Sequence, residues 1–106
     1  MNPAIPKYTR AMAQPVEVER VQTGVRIEKR ILKVLKGLAE YHDLSLGDLL
    51  EGIVLHAFEG KAPFGAESRE CIAELKKIYG LDLDSTASHR LRDTRRPPLS
   101  PRRRRS

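Results

Sequence analysis

Residues 46–59, LGDLLEGIVLHAFE, constrain this chain more than any other part of it. Leu46, Leu49, Leu50, Ile53, Val54, Leu55, Ala57 and Phe58 make a helix here apolar around most of its circumference, and only Asp48, Glu51, His56 and Glu59 are distinctly polar. Such a helix must be covered on nearly every side. Ser45, with Asp48 three residues later, approximates a capping box at its start, and Gly60 is a natural stop. The chain has only 106 residues to provide the cover, with three Tyr, two Phe and no Trp.

Just upstream, residues 28–42 repeat apolar side chains at helical spacing (Ile31, Val34, Leu35, Leu38, Ala39), with Lys29, Lys33, Lys36 and Glu40 opposite. Asp43-Leu44 closes that helix. Before it, VQTGVRI alternates with period two: Val21, Thr23, Val25 and Ile27 on one side, Gln22, Gly24 and Arg26 on the other. This predicts one strand with no partner nearby in sequence, which leaves a row of unpaired N–H and C=O groups. One strand and one amphipathic helix cannot cover the apolar helix, and units below about 40 residues usually need a metal, a disulfide or oligomerisation. A single cysteine, Cys71, forms no internal disulfide, and no Cys/His cluster has zinc-ligand spacing. A second copy of the chain answers both demands, pairing the strand and covering the helix; the alternative is a monomer in which the later helix covers this face. The expected dimer core is Val25, Ile27, Leu35, Leu38, Leu49, Leu50, Ile53 and Val54. Gly37 and Gly52 each cost about 1 kcal/mol relative to Ala inside a helix. Close helix approach in the dimer explains them, Gly52 being the stronger case.

The remainder divides by composition. Residues 1–15 carry Pro3, Pro6 and Pro15 and read as a flexible arm; 16–60 form the dimerising domain. Residues 61–92 hold a Pro/Gly hinge, KAPFGA, with Phe64 as an anchor, and an accessory helix over 67–79 stopped by Gly80. Residues 93–106 are an Arg/Pro-rich tail expected to be disordered. Of the net charge of +6, +5 lies in that tail and residues 21–60 carry −1, so a nearly neutral domain bears a basic appendage. No apolar run approaches a membrane span, and MNPAIPKYTR has no secretory pattern. The expected compartment is the cytoplasm, without membrane association.

VQTGVRI, IEKRILKVLKGLAE and DLSLGDLLEGIV, in register over residues 21–59, resemble the ribbon-helix-helix (Arc/MetJ-type) DNA-binding proteins. The family's apolar-basic-apolar strand end is matched by Val25-Arg26-Ile27. Its first-helix signature is matched from Glu28 through Leu35 to Leu38-Ala39, and its turn signature by Asp43, Ser45, Gly47, Asp48, Leu49 and Leu50. The resemblance implies a mostly α fold: one N-terminal strand and two helices swapped into an intertwined homodimer, here with an additional C-terminal helix and the basic tail. It also implies that the two strands form an antiparallel ribbon that enters the major groove of double-stranded DNA, a groove about 12 Å wide.

Carried over by position, Gln22, Gly24 and Arg26 face the bases. Gln pairs bidentately with adenine and Arg with guanine; Gly24 departs from the usual polar residue and reads nothing. Ser45 and the N–H groups of Leu46 and Gly47, at a helix N-terminus, suit a phosphate. Arg20, Lys29 and Arg30 are further phosphate contacts. The implied function is a homodimeric DNA-binding transcriptional regulator. Two alternatives stand beside it: an antitoxin whose residues 61–106 bind a toxin, and a dimerisation or adaptor module that does not bind DNA, which Gly24 and the core charge of −1 favour. No nucleophile–base pair, carboxylate pair or Gly-rich phosphate loop points to catalysis, and no cofactor is expected.

Overall fold

The computed structural model describes residues 15–94, so most of the N-terminal arm and of the basic tail lies outside the described residues. Three helices follow one another: α1 (Lys29–Tyr41), α2 (Leu46–Phe58) and α3 (Ala66–Tyr79), with a short 3₁₀ turn at Ser85–Ala87. The class is mostly α, and among the described residues no strand is present. Residues 15–28 run irregularly ahead of α1, and the strand expected over 21–27 is not formed in the single chain. The physical reason is the one its sequence announces: a strand exists through cross-strand hydrogen bonds, and among the described residues no segment supplies them.

The helix boundaries follow local chemistry. Glu28 stands outside α1 as its N-cap, its Oε1 accepting from the Ile31 N–H at 2.9 Å. The Ser45 Oγ accepts from the Asp48 N–H at 3.1 Å and opens α2. The reciprocal half of a capping box is not built, because the Asp48 carboxylate is turned to Arg20. All three helices end in the same way. The N–H groups of Leu44, Lys61 and Leu81 reach back to the carbonyls of Ala39, His56 and Lys76, each at 2.9 Å. The residue before each has positive φ: Asp43 at 58°, Gly60 at 73° and Gly80 at 66°. This is the Schellman closure, which satisfies carbonyls that the helix leaves unpaired. Glycine enters it without penalty; Asp43 does so against its Cβ.

Packing centres on α1. Helix α3 lies along it and α2 meets it over a shorter stretch, while the backbones of α2 and α3 stay apart. Leu38, Ala39 and Leu49 form the buried core, with Leu35, Ile53, Phe64, Cys71, Ile72 and Leu75 packed partly buried around them. Phe64 is thus the anchor its hinge position suggested. The glycine expectation needs correction. A Cβ on Gly37 would lie 2.8 Å from Leu75 Cδ2, so its close approach is to α3 within the same chain rather than across a dimer. At Gly52 a Cβ would meet nothing within 4 Å.

Much apolar surface remains uncovered. Of the residues expected in a dimer core, Leu38 and Leu49 are buried here, and Ile27, Leu35, Leu50 and Ile53 are half-buried. Val25 and Val54 are exposed, at 74% and 41%. Beside them Val21, Leu55 and Phe58 are exposed at 78%, 64% and 80%. Helix α3 therefore covers α1 and leaves the outer side of α2 open.

Candidate nucleic-acid interface

The N-terminal segment and the start of α2 are brought together by Arg20. Its Nε and Nη2 donate to the two carboxylate oxygens of Glu51, both at 2.8 Å, and Nη2 also donates to Asp48 Oδ1 at 3.2 Å. The hydrogen bond and charge of Glu51 raise the Arg20 pKa further above its ordinary range. In return Arg20 holds the Glu51 carboxyl below the usual range. Arg20 thus fastens residues 15–20 to the first turns of α2, and its fork is occupied rather than offered to a phosphate. Ser45 and Gly47 are exposed and Leu46 is half-buried at this same helix start. The N–H groups of Leu46 and Gly47 are among those a helix leaves without an internal partner.

A second cluster lies where the segment enters α1. Arg30 donates from Nε to Glu28 Oε2 at 2.9 Å and from Nη1 to Gly80 O and Asp82 Oδ1, both at 3.0 Å. One guanidinium therefore joins the start of α1 to the end of α3. Partial burial pushes the Glu28 carboxyl up, but hydrogen bonds from Arg30 and the Ile31 N–H, with the Arg30 charge, outweigh it and hold the group below its ordinary value. Arg26 donates from both Nε and Nη2 to Asp93 Oδ2, the Nε contact at 3.1 Å. Lys29 is exposed and has no ion-pair partner among the described residues.

Gln22 and Gly24 are exposed. The backbone at Gly24 has no positive φ, and a Cβ there would meet nothing within 4 Å, so nothing within the chain requires glycine. The expected base-facing and phosphate-facing residues are thus all on the surface or near it, in two groups. Their acidic partners Asp48, Glu51, Asp82 and Asp93 went unanticipated. Sequence separations of 28 to 67 residues carry no spacing rule that would have paired them.

Other chemistry is sparse. Tyr41 Oη donates to Glu67 Oε2 at 2.5 Å, and His42 Nε2 lies 2.9 Å from Ser68 Oγ. Both tie the end of α1 to the start of α3. His42 and Ser68 border an open concavity of about 230 Å³ whose walls are mostly apolar: Leu44, Leu49, Gly52, Ile53, Pro63 and Phe64. Among the described residues no cluster of three His, Cys, Asp or Glu side chains is arranged for a metal, and no helix is long and apolar enough to cross a membrane. No protein-family model, curated protein or solved structure matches the chain.

Proposed function

We propose that the chain is a homodimeric DNA-binding protein of the ribbon-helix-helix type, acting as a transcriptional regulator. The observation that carries the reading is the uncovered apolar surface on the two elements expected to dimerise: Val21 and Val25 on the N-terminal segment, and Val54, Leu55 and Phe58 on α2. Among the described residues only Val34, Leu38, Ala39 and Leu49 are buried, a thin core for a domain of this size. A two-fold partner pairs residues 21–27 of one copy with those of the other and closes over α2, beside the open flank of Gly52. Arg26, on the opposite side of the segment from Val25 and Ile27, then faces the groove and makes two parallel bonds to a guanine edge. Ser45, Leu46 and Gly47 present a helix N-terminus to the flanking phosphate.

The test is selection of bound sequences from random duplex DNA, followed by titration of the selected site. Arg26→Ala should weaken that site by roughly 1–3 kcal/mol per subunit and lose discrimination at one base pair in each half-site. Arg26→Lys should not restore it, because an ammonium cannot reproduce the planar fork. Unchanged binding by the Ala variant would refute the groove-reading role. A second reading is favoured by the acid pairing of Arg20, Arg26 and Arg30: a dimerisation or adaptor module that leaves DNA alone. Duplex binding that falls steeply with salt would exclude it.

A further inference from the structure

Helices α2 and α3 both pack on α1 but not on each other, and the hinge between them spans the wedge that this leaves. The open concavity of about 230 Å³ lies there, bordered by His42 at the end of α1, by Asp48, Leu49 and Ile53 of α2, and by Phe64 of the hinge. Gly52 forms part of its wall. Glycine inside a helix is destabilising relative to alanine, and among the described residues nothing asks for one here. Its φ is not positive, and a Cβ would meet no atom within 4 Å. What a side chain at position 52 would take up is the space itself. Val54 and Phe58 project about 160° and 120° away from Gly52 round the helix. A second copy seated on them leaves the mouth of the concavity open.

We propose that this concavity binds a small arylalkylammonium compound, one aromatic ring on a short chain that ends in a protonated amine. Size sets the ring. An apolar cavity of about 150 Å³ holds benzene, and pockets for drug-sized ligands begin at about 300 Å³. The volume of about 230 Å³ lies between them and suits a single ring with a short chain. Leu49, Ile53 and Phe64, packed in or against the core, give that ring apolar walls. Charge sets the chain's end. Asp48 is the one carboxylate on the wall. Arg20 reaches only its Oδ1, at 3.2 Å, and spends its two shorter bonds, both 2.8 Å, on Glu51. No described side chain takes Asp48 Oδ2. Two carboxylates against one guanidinium leave a net negative charge at the mouth, which attracts an ammonium group and repels a carboxylate. His42 Nε2 and Ser68 Oγ, 2.9 Å apart, already partner each other. Asp48 is therefore the group that selects the ligand, and Gly52 is what keeps room for it. Binding of this kind does not depend on the DNA-binding reading.

The experiment titrates the full chain, isotope-labelled, with 2-phenylethylamine and follows its amide resonances. Shifts that saturate together at Leu44, Gly52, Ile53 and Phe64 are expected. Three comparison compounds separate the contributions: butylamine keeps the charge without the ring, 2-phenylethanol keeps the ring without the charge, and phenylacetate reverses the charge. Each should bind more weakly than 2-phenylethylamine, phenylacetate most of all. Asp48→Asn should weaken 2-phenylethylamine by roughly three- to fivefold, the range of a part-exposed ion pair, and leave 2-phenylethanol unchanged. Gly52→Leu fills the space with a better helix former, so the fold is not put at risk, and should remove the saturating shifts. Equal affinity for the amine, the alcohol and the acid would overturn the assignment, because the concavity would then be an unselective apolar hollow. Shifts confined to Asp48 and Glu51 and matched by butylamine would overturn it as ion pairing at the surface. The absence of saturable shifts, or undiminished binding by Gly52→Leu, would place no ligand in the concavity and end the proposal.

Discussion

Gly37→Ala probes the packing of α3 on α1 at its tightest point. Two terms oppose each other there. Alanine in a helix interior is favoured over glycine by about 0.8–1.0 kcal/mol, which by itself stabilises. The new Cβ would stand 2.8 Å from Leu75 Cδ2 and 3.2 Å from Cδ1, closer than ordinary van der Waals contact allows. Leu75 is packed against the Leu38–Ala39–Leu49 core, so moving it disturbs that cluster, and overpacking of this kind costs about 1–3 kcal/mol. The net expectation runs from about neutral to about 2 kcal/mol destabilising. The decisive form is a double-mutant cycle with Leu75→Ala, which removes both Cδ atoms. In that background Gly37→Ala should regain its stabilisation of about 1 kcal/mol, giving a coupling of about 1–3 kcal/mol between the two sites. Urea unfolding followed by circular dichroism, at one fixed protein concentration, measures all four corners. A Gly37→Ala variant stabilised equally in both backgrounds would mean that Leu75 does not press on Gly37, and the α1–α3 packing would be wrong.

Three further outcomes follow from particular contacts. Glu28→Gln should lose about 0.5–1 kcal/mol as the charged cap of α1 is removed. Because the folded carboxyl sits below its ordinary value of 4.5, its contribution is present above that value and is lost as pH falls through the folded pKa, so acid titration of unfolding should show a shallower loss in the variant. Asp43→Gly should stabilise by about 0.5–1 kcal/mol, since the left-handed conformation costs glycine nothing; a destabilised variant in the same unfolding assay would contradict the closure described for α1. Deleting residues 95–106 removes six arginines but keeps Asp93, and should weaken duplex binding evenly across sequences while flattening its salt dependence. A changed sequence preference in the truncated chain would mean the tail reads bases.

The helices were legible because their signals are local. Ser45 marks the start of α2, Gly60 and Gly80 lie where positive φ is needed, and the 3.6-residue spacing of Leu35, Leu38 and Ala39 places the inner face of α1. Glu28 differed by one position, capping α1 from outside, since glutamate is an uncommon cap and its helix propensity argues for placement within. The role of Gly37 was not legible. A glycine in a helix announces a close approach but not the element that makes it, and here that element is Leu75, nearly forty residues on. The ion pairs at Arg20, Arg26 and Arg30 were hidden for the same reason: they join acids and bases that only the fold makes neighbours. The alternation over residues 21–27 predicts a strand, but a strand forms only with a pairing partner, and among the described residues this segment has none.

The central claim is that two copies of this chain join through residues 21–27. Mixing isotope-labelled and unlabelled full-length protein, refolding them together and recording isotope-filtered nuclear Overhauser spectra tests it directly. The account predicts cross-peaks between Hα protons of residues 21–27 on different copies, in an antiparallel pattern, together with contacts from Val54 and Phe58 of one copy to the other. A folded protein with its full helical content and no cross-peak between copies would contradict it.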